Sequence, residues 1–157
     1  MKLLPGTTGF LPYRPQGFVP RAIEPADDLR IFAMICREAA RRTQGVVLDT
    51  RQAGLAPNFH TVVLGYGDRT VSALRHVLLP LVAFVDGVPD PAHLLFTDNR
   101  RLTKALGELC HLRVLSSAEL RTPLAQVDLS ALDTGEMHEI EFWEAETAGQ
   151  VLFNFWD

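Results

Sequence analysis

The chain closes on "AETAGQVLFNFWD", which sets Phe153, Phe155 and Trp156 within its last five residues. Chain ends usually fray. An aromatic ring that docks on a core, by contrast, buries on the order of 150–250 Å². Three rings left in water would make a sizeable apolar patch. The sequence therefore predicts a fold with a slot for this segment, so that 134–157 acts as an aromatic plug on the core.

Two local readings of the plug compete. "EIEFW" alternates and "VLFNF" is rich in strand formers, which allows a hairpin of 138–144 with 150–156. "DTGE" (133–136) and "TAGQ" (147–150) instead place an N-cap oxygen three residues before Glu or Gln. Met137, Ile140 and Trp143 then recur at helical spacing, as do Val151, Leu152, Phe155 and Trp156. The caps favour two short helices.

Upstream, "PADDLRIFAMICREAARRT" (25–43) is the clearest helix. Pro25 suits a first turn, and Asp27 and Asp28 suit the positive end of the helix dipole. Leu29, Phe32, Ala33, Cys36, Ala39 and Ala40 share one face, and Gly45 ends the run. "GVVLDT" (45–50) and "HTVVLGYG" (60–67) read as buried strands, and "RTVSALRHVLL" (69–79) as a helix running into Pro80. The stretch 81–86 fits either element. "HLLFTD" (93–98) reads as a strand, "NRRLTKALGELC" (99–110) as a helix and "LRVLS" (112–116) as a further strand. Five of the ten prolines lie in residues 1–25, which predicts an extended arm with an edge strand near Phe10–Tyr13. The alternation of strands and helices over 157 residues predicts one α/β domain. Its small mixed or partly parallel sheet is flanked by helices, with a short helical C-terminal segment.

Charge is unevenly laid out. Residues 122–157 hold eight of the 19 acidic side chains and none of the 15 basic ones. Such segregation concerns partners and solubility rather than fold. The acidic quarter is either a solubilising face or a contact surface. In the second case Asp133, Glu136, Glu139, Glu141, Glu144 and Glu146 are the candidate partner-binding carboxylates.

Catalytic patterns are sparse. The five histidines lie at no i, i+4 spacing, which leaves them as scattered surface or strand-end residues. The serines lack a G-x-S-x-G elbow. "GYGDR" (65–69) is accounted for by a strand-to-helix turn without a phosphate. Cys36 and Cys110 have no Cys–His ligand spacing and read as buried thiols. The basic trio Arg37, Arg41 and Arg42 reads as a solvated helix end with few aromatic neighbours, so direct nucleic-acid binding is not expected. Asp49 and Asp98 each follow a strand pattern. Carboxylates at the C-terminal edge of a parallel sheet can gather a divalent metal, with Glu119 as a third. Otherwise both are turn or cap residues, Asp98 capping the helix at 99.

Two resemblances bear on function. The run "LLFTDNRRLTKALGELCHLRVLSSAEL" looks like the last third of PIN-type nucleases, which implies a metal-dependent nuclease using Asp49 and Asp98. The chain departs from that family in the 44 residues before its first strand and in lacking an evident middle carboxylate. The ending "IEFWEAETAGQVLFNFWD" resembles the C-terminus of bacterial immunity proteins of polymorphic and contact-delivered toxin systems. Trp143, Thr147, Gly149, Phe153, Asn154, Trp156 and Asp157 match; Gln150 stands where an acidic residue is usual and Ala145 where proline is often seen. This resemblance implies a stoichiometric inhibitor of a cognate protein toxin, a basic nuclease being one such target. No cofactor or metal is called for, and the shared tail is expected to be scaffold. The longest apolar run, "VLLPLVAFV", is too short to span a bilayer, and no secretory signal opens the sequence. A cytoplasmic protein with no membrane partner is the expectation.

Overall fold

Helix α1 (Pro25–Arg42) opens at Pro25, with Asp27 and Asp28 in its first turn and Arg41 and Arg42 in its last. The computed structural model describes residues 1–10 and 24–157. The left-handed residue that closes α1 is Gln44, not Gly45. Gln44 takes the left-handed conformation (φ 62°), and the Gly45 N–H reaches back to the Ala40 carbonyl at 2.8 Å, closing the exposed carbonyls of the last turn.

Four strands then run as an antiparallel meander: β1 (Val46–Arg51), β2 (Phe59–Tyr66), β3 (Arg69–His76) and β4 (Leu81–Asp86). The far edge of β4 is shared. β5 (Phe96–Thr97) pairs antiparallel with its C-terminal half, and β6 (Arg113–Val114) pairs parallel with its start. Between these two short strands lies α2 (Arg100–Leu109), capped by the Asn99 side chain on Leu102 N–H at 3.0 Å. The chain continues through α3 (Ser117–Leu120), a 3₁₀ turn (Leu124–Gln126), α4 (Thr134–Phe142) and α5 (Ala148–Leu152). The result is a mixed α/β domain whose sheet is mainly antiparallel, with two short helices at its C-terminal end.

Both faces of the sheet are buried. Phe32, Cys36, Ala39 and Ala40 of α1 and Leu102 and Leu106 of α2 pack on Val62, Leu64, Ala73, Val82 and Phe84. On the opposite face Phe59, Leu74, Ala83 and Val85 meet Leu115, Leu120, Ile140, Val151, Leu152 and Phe153. Successive residues of β4 thus alternate between two separate apolar layers, as period-2 geometry requires.

Several sequence expectations are corrected here. The segment 69–79 is not a helix. Its first eight residues are β3, paired on both sides. Both faces of β3 are covered, so it shows no polar–apolar alternation, and Val71, Leu74 and Leu78 imitate a helical stripe. "GYGDR" is accordingly a strand-to-strand turn: Tyr66 pairs with Arg69 around Gly67, whose φ of 64° suits a tight hairpin. The strand at 46–51 forms but is not buried. Val46 and Leu48 are 60% and 58% exposed, because β1 is an edge strand with a bulge at Leu48. The strand expected over 93–98 shortens to Phe96–Thr97. Most of the edge strand expected near Phe10–Tyr13 lies outside the described residues; Phe10 itself is not in a strand.

The plug forms as two helices. Phe153 is fully buried, with its ring 6.0–6.1 Å from those of Phe59, His76 and Phe96. Phe155 and Trp156 are half-buried, and Trp143, expected inside, is exposed. Asn154 and Asn58 form a reciprocal clasp. Asn154 N–H donates to Asn58 Oδ1 at 2.9 Å, Asn58 N–H donates to the Asn154 carbonyl at 3.0 Å, and both side-chain amides donate to the Thr8 carbonyl at 3.2 Å. Gly149 fits because a Cβ there would lie 2.6 Å from the Phe96 ring and 2.8 Å from the Leu120 carbonyl.

His60 and His76 lie at strand ends, as the sequence reading allowed, but neither is at the surface, since both are buried. His76 Nδ1 accepts from the N–H groups of Leu78 and Leu79, so Nε2 carries the proton and donates to the Thr7 carbonyl at 2.8 Å. Burial pushes its pKa down to about 4. His60 accepts from Ala53 N–H and faces Asp28 on α1, and burial lowers its pKa as well. Cys36 is buried and Cys110 half-buried, both as free thiols.

Two predictions follow from this packing. Phe153→Ala should cost about 3–5 kcal/mol in denaturant titration; a loss below about 1 kcal/mol would contradict the plug. The second concerns pH. An unfolded histidine takes up a proton near pH 6.5, whereas folded His76 stays neutral to about pH 4. The unfolded state therefore binds more protons across this window. Stability should be full above pH 6.5 and fall towards pH 4, with His60 adding in the same direction. Melting temperatures that are flat from pH 7.5 to 4.5 would contradict this.

Candidate functional site

The three carboxylates of the nuclease alternative are not brought together. Asp49 lies within β1 and is exposed, where it accepts from Thr50 N–H and Arg51. Asp98 follows β5 at the other end of the sheet order. Four strand spacings of ~4.8 Å put the two edges on the order of 19 Å apart. After four antiparallel pairings β1 and β5 point the same way, so it is the width of the sheet, with three strands between them, that separates Asp49 from Asp98. Each carboxylate has a local structural task. Asp98 does not cap α2; it accepts from Ser117 N–H at 2.8 Å and Ser117 Oγ at 2.6 Å, so it fixes the start of α3. These bonds hold its carboxyl below the usual range. Glu119 completes the capping box with Ser116 and pairs with Arg113. Among the described residues no group of three His, Cys, Asp or Glu is placed to hold a metal ion.

The acidic quarter divides into two kinds of carboxylate. Glu136, expected at the partner surface, is only 2% exposed. One of its oxygens accepts from Thr8 N–H at 3.0 Å and Thr8 Oγ1 at 2.8 Å, and the other accepts from Gly6 N–H at 3.2 Å. It is a staple between α4 and the N-terminal turn. The neighbouring Asp133 caps α4 by accepting from Glu136 N–H at 2.8 Å but stays exposed. Glu139 is half-buried, and Glu141, Glu144 and Glu146 are exposed. This remaining group sits on and just after α4.

Exposed aromatic area lies among these charges. Phe142 is 67% exposed, and its ring meets that of Trp143 edge-on at 5.3 Å. Trp143 in turn lies parallel to Trp156, with centroids 6.1 Å apart. The Trp143 indole N–H donates to Glu139 at 3.1 Å, which fixes the ring's direction. Beside the indoles a cleft of about 710 Å³ runs between the 91–96 segment and the C-terminal residues. Glu144, Glu146 and His93 line it, and among the described residues no Lys or Arg does.

The turn that places Glu144 is unusual. Ala145 N–H donates to Ile140 O and Glu144 N–H to Glu141 O, both at 3.2 Å. This is the helix ending that normally puts glycine in the left-handed position. Here Glu144 occupies it, with φ 53°. No residue type signals this in advance, since "FWEAE" carries no glycine. The burial of Glu136 was equally hidden: a Glu three residues after an N-cap reads as a capping-box partner, yet its side chain turns away to the N-terminal segment.

The motif residues of the terminal resemblance have structural tasks in this chain. Thr147 caps α5 by accepting from Gln150 N–H, Gly149 permits close packing, Phe153 fills the core, Asn154 forms the clasp, and Trp156 stacks on Trp143. Comparison of the chain with protein-family models, curated proteins and solved structures finds no match.

A glycine at position 144 would relieve the left-handed strain. Glu144→Gly should therefore leave stability unchanged or raise it by about 1 kcal/mol, read from the denaturation midpoint. A loss of more than about 1 kcal/mol would show that the Glu144 side chain itself stabilises the fold.

Proposed function

We propose that this chain is an immunity-type protein that binds a cognate protein toxin and neutralises it by stoichiometric inhibition. The observation that carries the reading is the surface at the end of α4 and just after it, where exposed Phe142 and Trp143 stand among Glu139, Glu141, Glu144 and Glu146. Exposed aromatic side chains supply the large, low-entropy contacts that dominate protein interfaces. Carboxylates around them steer a basic partner and fix its orientation. A basic nuclease is a toxin of suitable charge. The ending's likeness to immunity proteins supports the same reading. That likeness lies largely in scaffold residues such as Thr147, Gly149, Phe153 and Asn154, so the contact surface is argued from exposure and charge instead. Action in the cytoplasm belongs to the proposal; what stands independently is that no helix among the described residues is long and apolar enough to cross a membrane.

The left-handed Glu144 adds weight. Strain kept at a surface position where glycine would be tolerated is characteristic of sites held for function. Glu141 and Glu146 have no basic partner among the described residues, so their charge is directed outward.

The test is co-expression with the toxin encoded beside the gene, followed by kinetics of the purified pair. Cells should survive the toxin only when this chain is present. The triple variant Glu141→Lys, Glu144→Lys, Glu146→Lys should stay folded and associate at least tenfold more slowly at low salt. Wild-type association should slow as salt rises and the Debye length shrinks from ~10 Å at 0.1 M to ~3 Å at 1 M. A toxin that kills regardless of this chain would overturn the reading.

A further inference from the structure

We propose that the cleft beside the Trp143–Trp156 stack is a seat for an arginine side chain presented by a protein partner. The guanidinium would lie against the indoles, with Glu144 and Glu146 as its counter-charges. The inference rests on the reading of this chain as a binder of another protein and specifies what that partner inserts.

Three observations converge on a cation. The walls are mixed, and their apolar part is largely aromatic: Leu94, Phe96 and Phe155 line the cleft together with both indoles. Among the described residues its lining carries two carboxylates, Glu144 and Glu146, and one imidazole, His93, with no Lys or Arg. Indole is the aromatic face that attracts cations best, and the two indoles of the chain both lie here. The volume of about 710 Å³ falls within the range of sites that enclose a ligand group.

Geometry selects arginine over lysine. Trp143 and Trp156 are parallel within 3°, and their stack presents a planar edge and face that a planar guanidinium can match by stacking. A compact ammonium gains less from such a surface. The Glu139 hydrogen bond to the Trp143 indole N–H holds that ring before any partner arrives, which reduces the ordering cost of binding. The left-handed turn at Glu144 sets a carboxylate directly after Trp143, on the wall of the same cleft.

The test is an NMR titration at pH 7.5 that follows the two indole N–H signals, assigned with Trp143→Phe. The probes are N-acetyl-arginine amide, N-acetyl-lysine amide and the uncharged N-acetyl-norleucine amide. The arginine probe should shift both indole signals saturably, the lysine probe more weakly and the norleucine probe least. The double variant Glu144→Gln, Glu146→Gln alters two exposed side chains and should keep the wild-type melting temperature. It should weaken arginine binding about fivefold or more. Equal shifts from norleucine and arginine would mark a merely apolar groove and overturn the proposal. So would the absence of any shift, or shifts produced by protein concentration alone, which would mark self-association. The two readings separate cleanly. Arginine binding in a chain that neutralises no toxin keeps the cleft and removes the immunity reading. Neutralisation undiminished by the double variant keeps the immunity reading and removes the cleft.

Discussion

The Asn58–Asn154 clasp is the contact on which the second half of this molecule depends. A sheet with two apolar faces needs two covers. Helices α1 and α2 supply one of them. The other is assembled from α3, α4, α5 and the terminal residues, elements of four to nine residues that would be marginal alone. They are held by Phe153 in the core and by the two asparagines, whose amides meet at the Thr8 carbonyl. A buried asparagine left unpaired is costly, whereas a reciprocal pair satisfies its own groups and the backbone beside it. The clasp thereby fixes where the chain's end lies, and with it the position of Trp156 under Trp143.

The same arrangement separates scaffold from surface within one short sequence. Between Asp133 and Trp156, inward positions such as Glu136, Ile140, Val151 and Phe153 alternate with outward ones such as Glu141, Phe142 and Glu144. The carboxylates look alike in the sequence and differ in their tasks. Glu136 neutralises a set of buried backbone donors, while Glu141, Glu144 and Glu146 face water. α4 is accordingly a connector rather than an amphipathic core helix, and its outer side is free to carry recognition.

Legibility in the sequence followed the physics of exposure. α1 could be read because one face is wet and the other dry, which produces the 3.6-residue period. β3 could not, because strands covered on both faces lose their alternation, and Ala73, Leu74 and Arg75 have helix-forming tendencies that pairing overrides. The exposed state of β1 was hidden for the converse reason: "VVL" has the composition of a buried strand, but sheet order is a tertiary property. The two terminal helices were legible through Asp133 and Thr147 as caps. Asn58 offered no signal, since its partner lies 96 residues away. The aromatic and acidic content of the candidate surface was visible; its division into buried staple and exposed rim was not.

The Glu136 staple carries a consequence for how the molecule comes together. It joins residues 128 and 130 positions apart, and Asn154 reaches Thr8 across 146. Closing loops of that length costs entropy that is recovered only when the last contacts form. The α1–β1–β2–β3–β4 layer is built largely from neighbours in sequence, so it can assemble first and wait. Until the terminal segment arrives, Phe59, Leu74, Ala83 and Val85 stand uncovered on the second face. A partly folded chain would thus display a hydrophobic sheet to its neighbours. The time spent in that open form, more than the strength of the finished core, would set how readily the protein aggregates while folding.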